Sequence, residues 1–384
     1  MVRGTNWVGD AVMSVPALRK LRGLFPEAQI TLATRSLTAD VFDGADFLDD
    51  LQLHTETGIL SVIGQVREWR KRQFDLAVLF PNSFEAALVA FLAGVPRRIG
   101  YATDGRRMLL THPLVPPEWR SSRHEVFYYL EIIEQLKQIA GIQKALPGSD
   151  RPGFDRTPED LPDGSILVTD ARRASAHELL GAHGAQQSAN RDQYDRPLIA
   201  LCPGSTNSRA KRWPAERYAA LADRFIDELG AEVLLVGSRD ELEVSLEVDR
   251  LMSAKAVMLT GETGLAEAIA VLSLVDLLVT NDTGPAHIAS ALARPTIVIF
   301  GPTNPLTTRP FSHHGEIVRH PPDCAPCMLR DCPIDHRCMT AISPDEVFQR
   351  GKAMLSELTP RPATFQQAQS PEVNHKLKLV GHVK

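Results

Sequence analysis

Three short motifs hold most of the side chains in this chain that could do chemistry, and the first is the run RGTNWVGDAVMSVP at residues 3–16. Gly4 and Gly9 permit a tight turn and the close approach of another chain or a ligand. Asp10 falls in the first turn of a predicted helix, at the edge of an open α/β sheet where ligands bind. A carboxylate there could be a general base that accepts the proton of an attacking hydroxyl. On position alone, a helix-capping aspartate is the stronger interpretation.

The second motif, CPGSTNSRAKRWP, lies between a predicted strand and a predicted helix. Its hydroxyls, among them that of Thr206, and its backbone N–H groups could bind a pyrophosphate, and Lys211 and Arg212 add positive charge. The spacing is not that of the phosphate loop of nucleoside-triphosphate hydrolases. A solvated loop with Trp213 packed on the core explains the same residues equally well, so both interpretations stay open.

The third motif, NDTGPAH, directly follows the apolar run LLVT. Asp282 or Thr283 can cap the helix that begins here. The backbone N–H groups of Thr283 and Gly284 would then point at a bound anion. His287 lies one helical turn beyond Thr283, so it is predicted to face the same crevice and to contact the ligand.

Short apolar runs alternate with amphipathic stretches through both halves of the chain, which predicts parallel sheets covered by helices. The fold class is therefore α/β, with two doubly wound Rossmann-like domains facing a central cleft. The predicted strands are Ile30–Thr34, Leu76–Phe80 and Arg98–Tyr101, then Leu198–Cys202, Glu232–Val236, Leu277–Thr280 and Thr296–Phe300. The predicted helices are Ala11–Leu24, Gly58–Arg72, Ser83–Ala93, Asp170–Gly184, Pro214–Leu229, Asp240–Met252, Gly264–Leu274 and Pro285–Leu292.

Composition places the domain boundaries in stretches rich in Pro, Gly and polar residues. We predict a first domain at residues 1–165, a linker with a connecting helix at 166–196, a second domain at 197–358 and a disordered tail at 359–384. Only Met1–Arg3 precede the first turn, so the first strand is either very short or begins upstream.

The overall composition excludes several classes of protein. Hydrophobic residues make up 43% and charged residues 23% of the 384 residues, an ordinary globular balance. The net charge of -5 does not favour nucleic acid as a partner. No apolar run approaches the roughly 18 residues of a membrane span, and Asp10 interrupts any signal-peptide segment. We therefore expect a cytoplasmic protein.

Four cysteines cluster near the end of the second domain. Cys324, Cys327, Cys332 and Cys338 follow a C-x2-C-x4-C-x5-C spacing, with two histidines close by. Four thiolates could hold a structural zinc ion or an iron–sulfur cluster, although the spacing matches neither common pattern. Free thiols or a reversible disulfide are the alternatives, and no metal is assigned.

The three motifs, in this order and spacing, resemble those of the ADP-heptose:lipopolysaccharide heptosyltransferases, glycosyltransferase family 9. RGTNWVGDAVMSVP is most similar to the heptosyltransferase II branch, and AKRWP, TGETGL, NDTGPAHIASAL and FGPTNP occupy the family's expected places. The resemblance extends over roughly residues 2–350. It implies a glycosyltransferase B fold and an inverting transfer that requires no metal or other cofactor.

The resemblance also implies partners. The second domain would bind ADP-L-glycero-D-manno-heptose. The first domain would bind a heptose already attached to the Kdo–lipid A core, in peripheral contact with the cytoplasmic face of the inner membrane. By the same match, Asp10 is the base and Lys211 binds the donor phosphates. The implied donor-binding residues are Thr206, Glu241 on the ribose, Thr263 near the adenine, Asp282, Thr283, Gly284 and His287.

A basic stretch in the first domain fits such an acceptor, because lipopolysaccharide carries phosphates and carboxylates. Residues 64–125 contain ten Lys or Arg and six Asp or Glu. The candidate acceptor-binding residues are Arg67, Arg97, Arg98 and Arg120. Ordinary solvated helix faces would produce the same composition.

Other functions remain open at this stage. Within enzymes these are heptosyltransferase I, a hexosyltransferase and a sugar-nucleotide 2-epimerase of the same fold. A non-catalytic sugar-nucleotide-binding protein is the alternative of another class. A dinucleotide-dependent oxidoreductase is the weakest alternative, because the glycine fingerprint is absent.

Overall fold

Two parallel sheets dominate the computed structural model, which describes residues 1–54, 58–142, 161–185 and 196–357. The strands of the first sheet are β1 (Val2–Arg3), β2 (Thr31–Arg35), β3 (Asp50–His54), β4 (Leu76–Leu79), β5 (Arg97–Tyr101) and β6 (His112–Leu114). Their order is β3-β2-β1-β4-β5-β6, and every neighbouring pair is parallel. The helices of this half are α1 (Val8–Leu24), α2 (Ser36–Ala39), α3 (Ile59–Arg72), α4 (Phe84–Leu92), α5 (Glu125–Ile139) and α6 (Asp170–Ala182).

The second sheet repeats this topology. Its strands are β7 (Leu198–Cys202), β8 (Glu232–Leu235), β9 (Val257–Met258), β10 (Leu277–Asn281), β11 (Thr296–Ile299) and β12 (Gly315–Val318). They are parallel and lie in the order β12-β11-β10-β7-β8-β9. The helices are α7 (Ala215–Leu229), α8 (Leu242–Leu251), α9 (Leu265–Leu272), α10 (Gly284–Ala291), α11 (Pro305–Thr308), α12 (Arg337–Thr340) and α13 (Pro344–Glu357).

Each sheet has a switch point, where successive crossovers leave for opposite sides. In the first sheet it lies between β1 and β4, and in the second between β7 and β10. Ligands of open α/β sheets bind in the crevice outside the carboxyl ends of the strands at this point. The loops after β1, β7 and β10 are the three sequence motifs, so the topology brings all three to switch points. The predicted fold of two doubly wound domains is confirmed.

Helix α5 lies between the sheet and the rest of the molecule, and no sequence pattern singled it out. Eight of its residues are buried, from Val126 to Leu136. Five of these residues, Val126–Leu130, are consecutive, so the first turn of the helix is buried on every side, and polar residues at helical spacing occur only from Glu131 onward. Its N-cap is also unusual, because the ring Nδ1 of His124 accepts the hydrogen bond from Val126 N.

The two halves are in direct contact in the described residues. One continuous cluster of buried apolar side chains extends from α1 and α5 into α9 and α10. The ring Nε2 of His124 donates to the carbonyl of Arg309 at 2.6 Å, and Asn304 donates to the carbonyl of Ser121 at 3.2 Å. The first turns of α1 and α10 are therefore held close together.

Three parts of the predicted domain organisation lie outside the described residues: residues 55–57 and 143–160 of the first domain, residues 186–195 of the linker and the tail at 359–384. The connecting helix is present as α6 and packs against α9. None of the helices in the described ranges is long and apolar enough to span a bilayer.

Candidate active site between the two domains

Asp10 lies in the first turn of α1, but it does not cap the helix. The helix begins at Val8 with Trp7 as N-cap, and no side chain makes the cap hydrogen bond in the described structure. The capping interpretation favoured on position alone is therefore wrong. The Asp10 carboxylate instead accepts a hydrogen bond from the Tyr129 hydroxyl, with 3.5 Å between the oxygens. Burial raises the pKa of Asp10, and the Tyr129 hydrogen bond opposes part of that rise.

Helix α5 supplies the other polar groups beside Asp10. Tyr129 is buried against the Phe80 ring, with 5.3 Å between centroids. Glu125 precedes Tyr129 by one helical turn, and burial raises the pKa of Glu125, with the charge of Asp10 adding to the effect and that of Arg120 opposing it. Asp10 therefore belongs to a small cluster with a second carboxyl and a phenol. The sequence motifs contained neither partner.

Lys211 is oriented by an ion pair at the opposite side of the crevice. Its Nζ lies 2.9 Å from Oδ2 of Asp282 and 3.2 Å from the Asp282 carbonyl. The Thr303 hydroxyl donates to the same Oδ2 at 2.7 Å. The Asp282 side chain is 6% exposed and that of Lys211 is 26% exposed. The Asp282 carboxylate therefore fixes the position of the Lys211 ammonium, and that ammonium remains partly exposed in the crevice.

Asn281 fixes the loop that contains Lys211. Its side-chain nitrogen donates to the carbonyls of Pro203 and Gly204, at 2.9 and 3.0 Å. Its side-chain oxygen accepts from Trp213 N at 3.0 Å and from the Tyr218 hydroxyl at 3.1 Å. All four bonds are buried, so the loop after β7 is tied at both ends to the end of β10. Trp213 packs in the core as the second sequence interpretation expected, and the same loop still presents Lys211.

The N-terminus of α10 has no side-chain cap in the described structure. Thr283 is the N-cap, and its hydroxyl bonds to Thr280 and to the Asn281 carbonyl instead of the helix. The prediction that Asp282 or Thr283 caps the helix is therefore confirmed for the position of Thr283, but its side chain makes no cap hydrogen bond. First-turn N–H groups without such a partner suit a bound anion, and the helix dipole adds to the attraction.

His287 of α10 faces the first domain. A Cβ placed on Gly9 would lie 3.0 Å from the His287 Cδ2, and one placed on Gly284 would lie 3.4 Å from the Val8 Cβ. His287 is buried, and among the described residues its Nδ1 has no hydrogen-bond partner. Burial lowers the pKa of His287 to about 4, so the ring is neutral at physiological pH. The first turns of α1 and α10 meet at this point.

The remaining donor-side residues follow neighbouring strands of the second sheet. Thr206 is exposed after β7, and Thr263 is half-buried after β9. Glu241, after β8, is buried, and its Oε2 accepts from the backbone and hydroxyl of Ser238 in a capping box. A Cβ on Gly204 would lie 2.4 Å from the Glu241 carboxyl carbon, so this close approach requires glycine.

The four arginines proposed for the acceptor do not share one surface. Arg97 and Arg98 begin β5, at the amino edge of the sheet and away from the crevice. The Arg98 guanidinium donates to the carbonyls of Leu109 and Val95, which makes it structural. Arg67 is exposed in the second half of α3, toward the same far edge. Only Arg120, stacked 4.4 Å over the Tyr128 ring, lies beside the crevice.

The four clustered cysteines are free thiols. Cys324 is exposed, Cys327 and Cys332 are half-buried and Cys338 is buried. Among the described residues, which include all four, no group of three or more His, Cys, Asp or Glu side chains is arranged to hold a metal ion. The structure therefore does not support the zinc or iron–sulfur interpretation.

Comparisons with known proteins agree on one family. The profile of glycosyltransferase family 9 (heptosyltransferase) matches residues 64–337. Lipopolysaccharide heptosyltransferase 2 of Escherichia coli strain K12 is 29% identical, over 83% of this chain and 87% of that protein. The protein of that name from Salmonella typhimurium is 28% identical, over 93% of this chain and 98% of that protein. A solved structure of Escherichia coli ADP-heptose LPS heptosyltransferase II covers 92% of this chain and 98% of that chain, at 27% identity and a TM-score of 0.72.

Proposed function

The chain belongs to glycosyltransferase family 9, and from that premise we propose that it transfers L-glycero-D-manno-heptose from ADP-heptose to a heptose of the lipopolysaccharide inner core. The relatives named heptosyltransferase 2 support this choice of donor and acceptor. We assign the acceptor to the first domain (residues 1–165), because it contains the candidate base Asp10. We assign the donor to the second domain (residues 197–358), because it contains Lys211 and the N-terminus of α10.

The donor diphosphate would lie against Lys211 and the first turn of α10. The leaving group, ADP, gains negative charge as the glycosidic bond to its phosphate breaks. A fixed ammonium and backbone N–H groups stabilise that charge without rearranging during the reaction. Thr206 lies on the same loop as Lys211. Glu241 and Thr263 lie farther along the sheet edge, where the ribose and adenine would extend.

The acceptor hydroxyl would be deprotonated by Asp10. Burial raises the pKa of the Asp10 carboxyl, which makes the ionised form a stronger base than an exposed aspartate. In the transfer, the acceptor oxygen bonds to the anomeric carbon, the bond to the ADP oxygen breaks and the hydroxyl proton passes to Asp10. A single displacement of this kind inverts the anomeric centre.

The observation that carries the proposal is the contact between the two helix N-termini. Gly9 immediately precedes Asp10, and a Cβ placed on Gly9 would lie 3.0 Å from the His287 ring. His287 is on α10, the helix whose first turn follows the Asp282–Lys211 pair. A base on one side and diphosphate-binding groups on the other are thereby brought to one crevice, as a direct transfer from donor to acceptor requires.

Arg120 is the acceptor-binding arginine that the geometry favours. Stacking on Tyr128 holds its guanidinium at the crevice, close enough to influence Glu125. A phosphate or carboxylate of the acceptor would be its partner. Such an acceptor is anchored in the inner membrane, so we propose a peripheral location at the cytoplasmic face.

The test is transfer from ADP-heptose to two defined acceptors, Kdo–lipid A with a terminal heptose and Kdo–lipid A without one, followed by mass spectrometry. We expect a mass gain of one heptose on the heptose-bearing acceptor only. Gain on the other acceptor would instead identify the enzyme that adds the first heptose. Conversion of the donor to an epimer without acceptor, or tight donor binding with no transfer to either acceptor, would overturn the proposal.

A further inference from the structure

The cysteine-bearing segment, residues 324–338, has no role in the proposed transfer, yet it contacts the lysine loop at several points. Ala210 N donates to the Arg330 carbonyl at 2.9 Å. The Ser208 hydroxyl donates to the same carbonyl at 3.2 Å. The ring Nε2 of His336 donates to the Ala210 carbonyl at 2.6 Å. Both backbone polar groups of Ala210, the residue before Lys211, are therefore bound by this one segment.

The segment also contacts the other side of the ion pair. Met328 N donates to the Pro302 carbonyl at 2.9 Å. Pro302 precedes Thr303, whose hydroxyl donates to Asp282. The segment thus binds the residue before Lys211 directly, and it binds the residue before Thr303, the hydrogen-bond partner of Asp282.

His336 combines an unusual backbone conformation with a long-range hydrogen bond to the lysine loop. Its backbone has a φ of +56°, in the left-handed region that non-glycine residues rarely adopt. Its ring is half-buried and reaches the Ala210 carbonyl from 126 positions away in the sequence. An unfavourable backbone conformation persists where the surroundings require it, and such positions cluster at functional sites.

We infer that the cysteine-bearing segment, acting through His336, is a positioning element that sets Lys211 for the donor diphosphate. Because Ala210 and Lys211 belong to one tight turn, a shift of the Ala210 carbonyl moves the backbone of Lys211 with it. His336 does not contact the donor in this arrangement. It is a positioning residue whose effect passes entirely through Lys211. This inference rests on the proposed role of Lys211 and extends it to a part of the chain with no assigned function.

The test is a double-mutant cycle read by calorimetric titration with ADP, using His336→Asn and Lys211→Ala. Asparagine tolerates the left-handed backbone, but its side chain is too short to reach the carbonyl. We expect His336→Asn to weaken ADP binding about fivefold in the wild-type background, which is the change in affinity that the loss of one typical hydrogen bond produces. In the Lys211→Ala background it should have no further effect. His336→Gln, whose amide can reach the carbonyl, should recover most of the affinity.

The controls separate positioning from general damage. Cys324→Ser, an exposed change in the same segment, should leave ADP affinity unaltered. Equal weakening by His336→Asn in both backgrounds, or no weakening in the wild type, would overturn the inference. Failure of the wild-type chain itself to bind ADP would instead contradict the proposed function, so the two failures are distinguishable.

Discussion

The hydroxyl of Tyr129 lies 3.5 Å from Oδ1 of Asp10, a residue 119 positions away in the sequence, and so joins helix α5 to helix α1. This pair defines the chemistry of the acceptor side. Burial disfavours the charged form of Asp10, and the phenol partly restores it. The balance sets the pH at which the carboxylate becomes available as a base.

Tyr129→Phe should move the acidic limb of the pH profile to higher pH. The hydrogen bond stabilises ionised Asp10 and lowers its pKa, so its loss raises that pKa and the base ionises only at higher pH. The shift should appear in the pH dependence of kcat/KM for the acceptor. Tyr128→Phe, the neighbouring phenol that bonds to Asn82, is the matched control and should leave the limb in place. A limb that stays fixed in Tyr129→Phe, or moves to lower pH, would contradict the assignment.

Lys211→Ala should weaken ADP binding by about tenfold or more, because a charge-assisted contact to the diphosphate is lost. Titration calorimetry measures the change directly. Arg209→Ala is the matched control, since Arg209 lies on the same turn but its guanidinium pairs with Asp331 at the surface. An exposed pair of this kind contributes little. Equal losses of ADP affinity in the two variants would contradict a specific contact between Lys211 and the diphosphate, because the net positive charge of the loop alone would then explain the binding.

Gly9→Ala should slow transfer while leaving ADP affinity nearly intact. The added methyl would lie 3.0 Å from the His287 ring and would push the first turn of α1 away from α10. Misplacement of a base by a fraction of an ångström is expected to lower kcat about ten- to hundredfold. Gly23→Ala, in the same helix with open space around it, should keep full activity. A fully active Gly9→Ala enzyme would disprove the importance of this contact.

Four strands of the second sheet (β7, β8, β10 and β11) were predictable because they are almost wholly buried and read as continuous apolar runs. The edge strands β9 and β12, which are largely half-buried, were missed. LIALC was predicted as a strand over the residues that form β7. The edge strand β3, DLQLH, has polar residues at every second position and is only partly buried. Such a strand carries a weak signal, and it was missed. The helix α5 was also missed, although polar residues recur at helical spacing after its buried start at Val126–Leu130.

The site was predictable in its motifs but not in its pairings. Asp10 and Lys211 stand out because each follows a strand within a short polar run. Asp10 bonds to Tyr129 and Lys211 to Asp282, each from another element, and nothing local in the sequence pairs them. The arginines were wrongly grouped because composition does not record which edge of a parallel sheet a residue occupies. Arg97 and Arg98 are the first two residues of their strand, so they lie at the edge opposite the crevice.

The role of Asp10 as the base is the central claim, and the direct measurement is the turnover of Asp10→Asn on a heptose-bearing core acceptor at saturating ADP-heptose. The variant should fold at least as well as the wild type, because burial penalises the charge that asparagine lacks. We predict that turnover falls by about a hundred- to ten-thousandfold, while ADP affinity is unchanged. Turnover within about twofold of the wild type would contradict the account, because loss of a general base must cost far more than that.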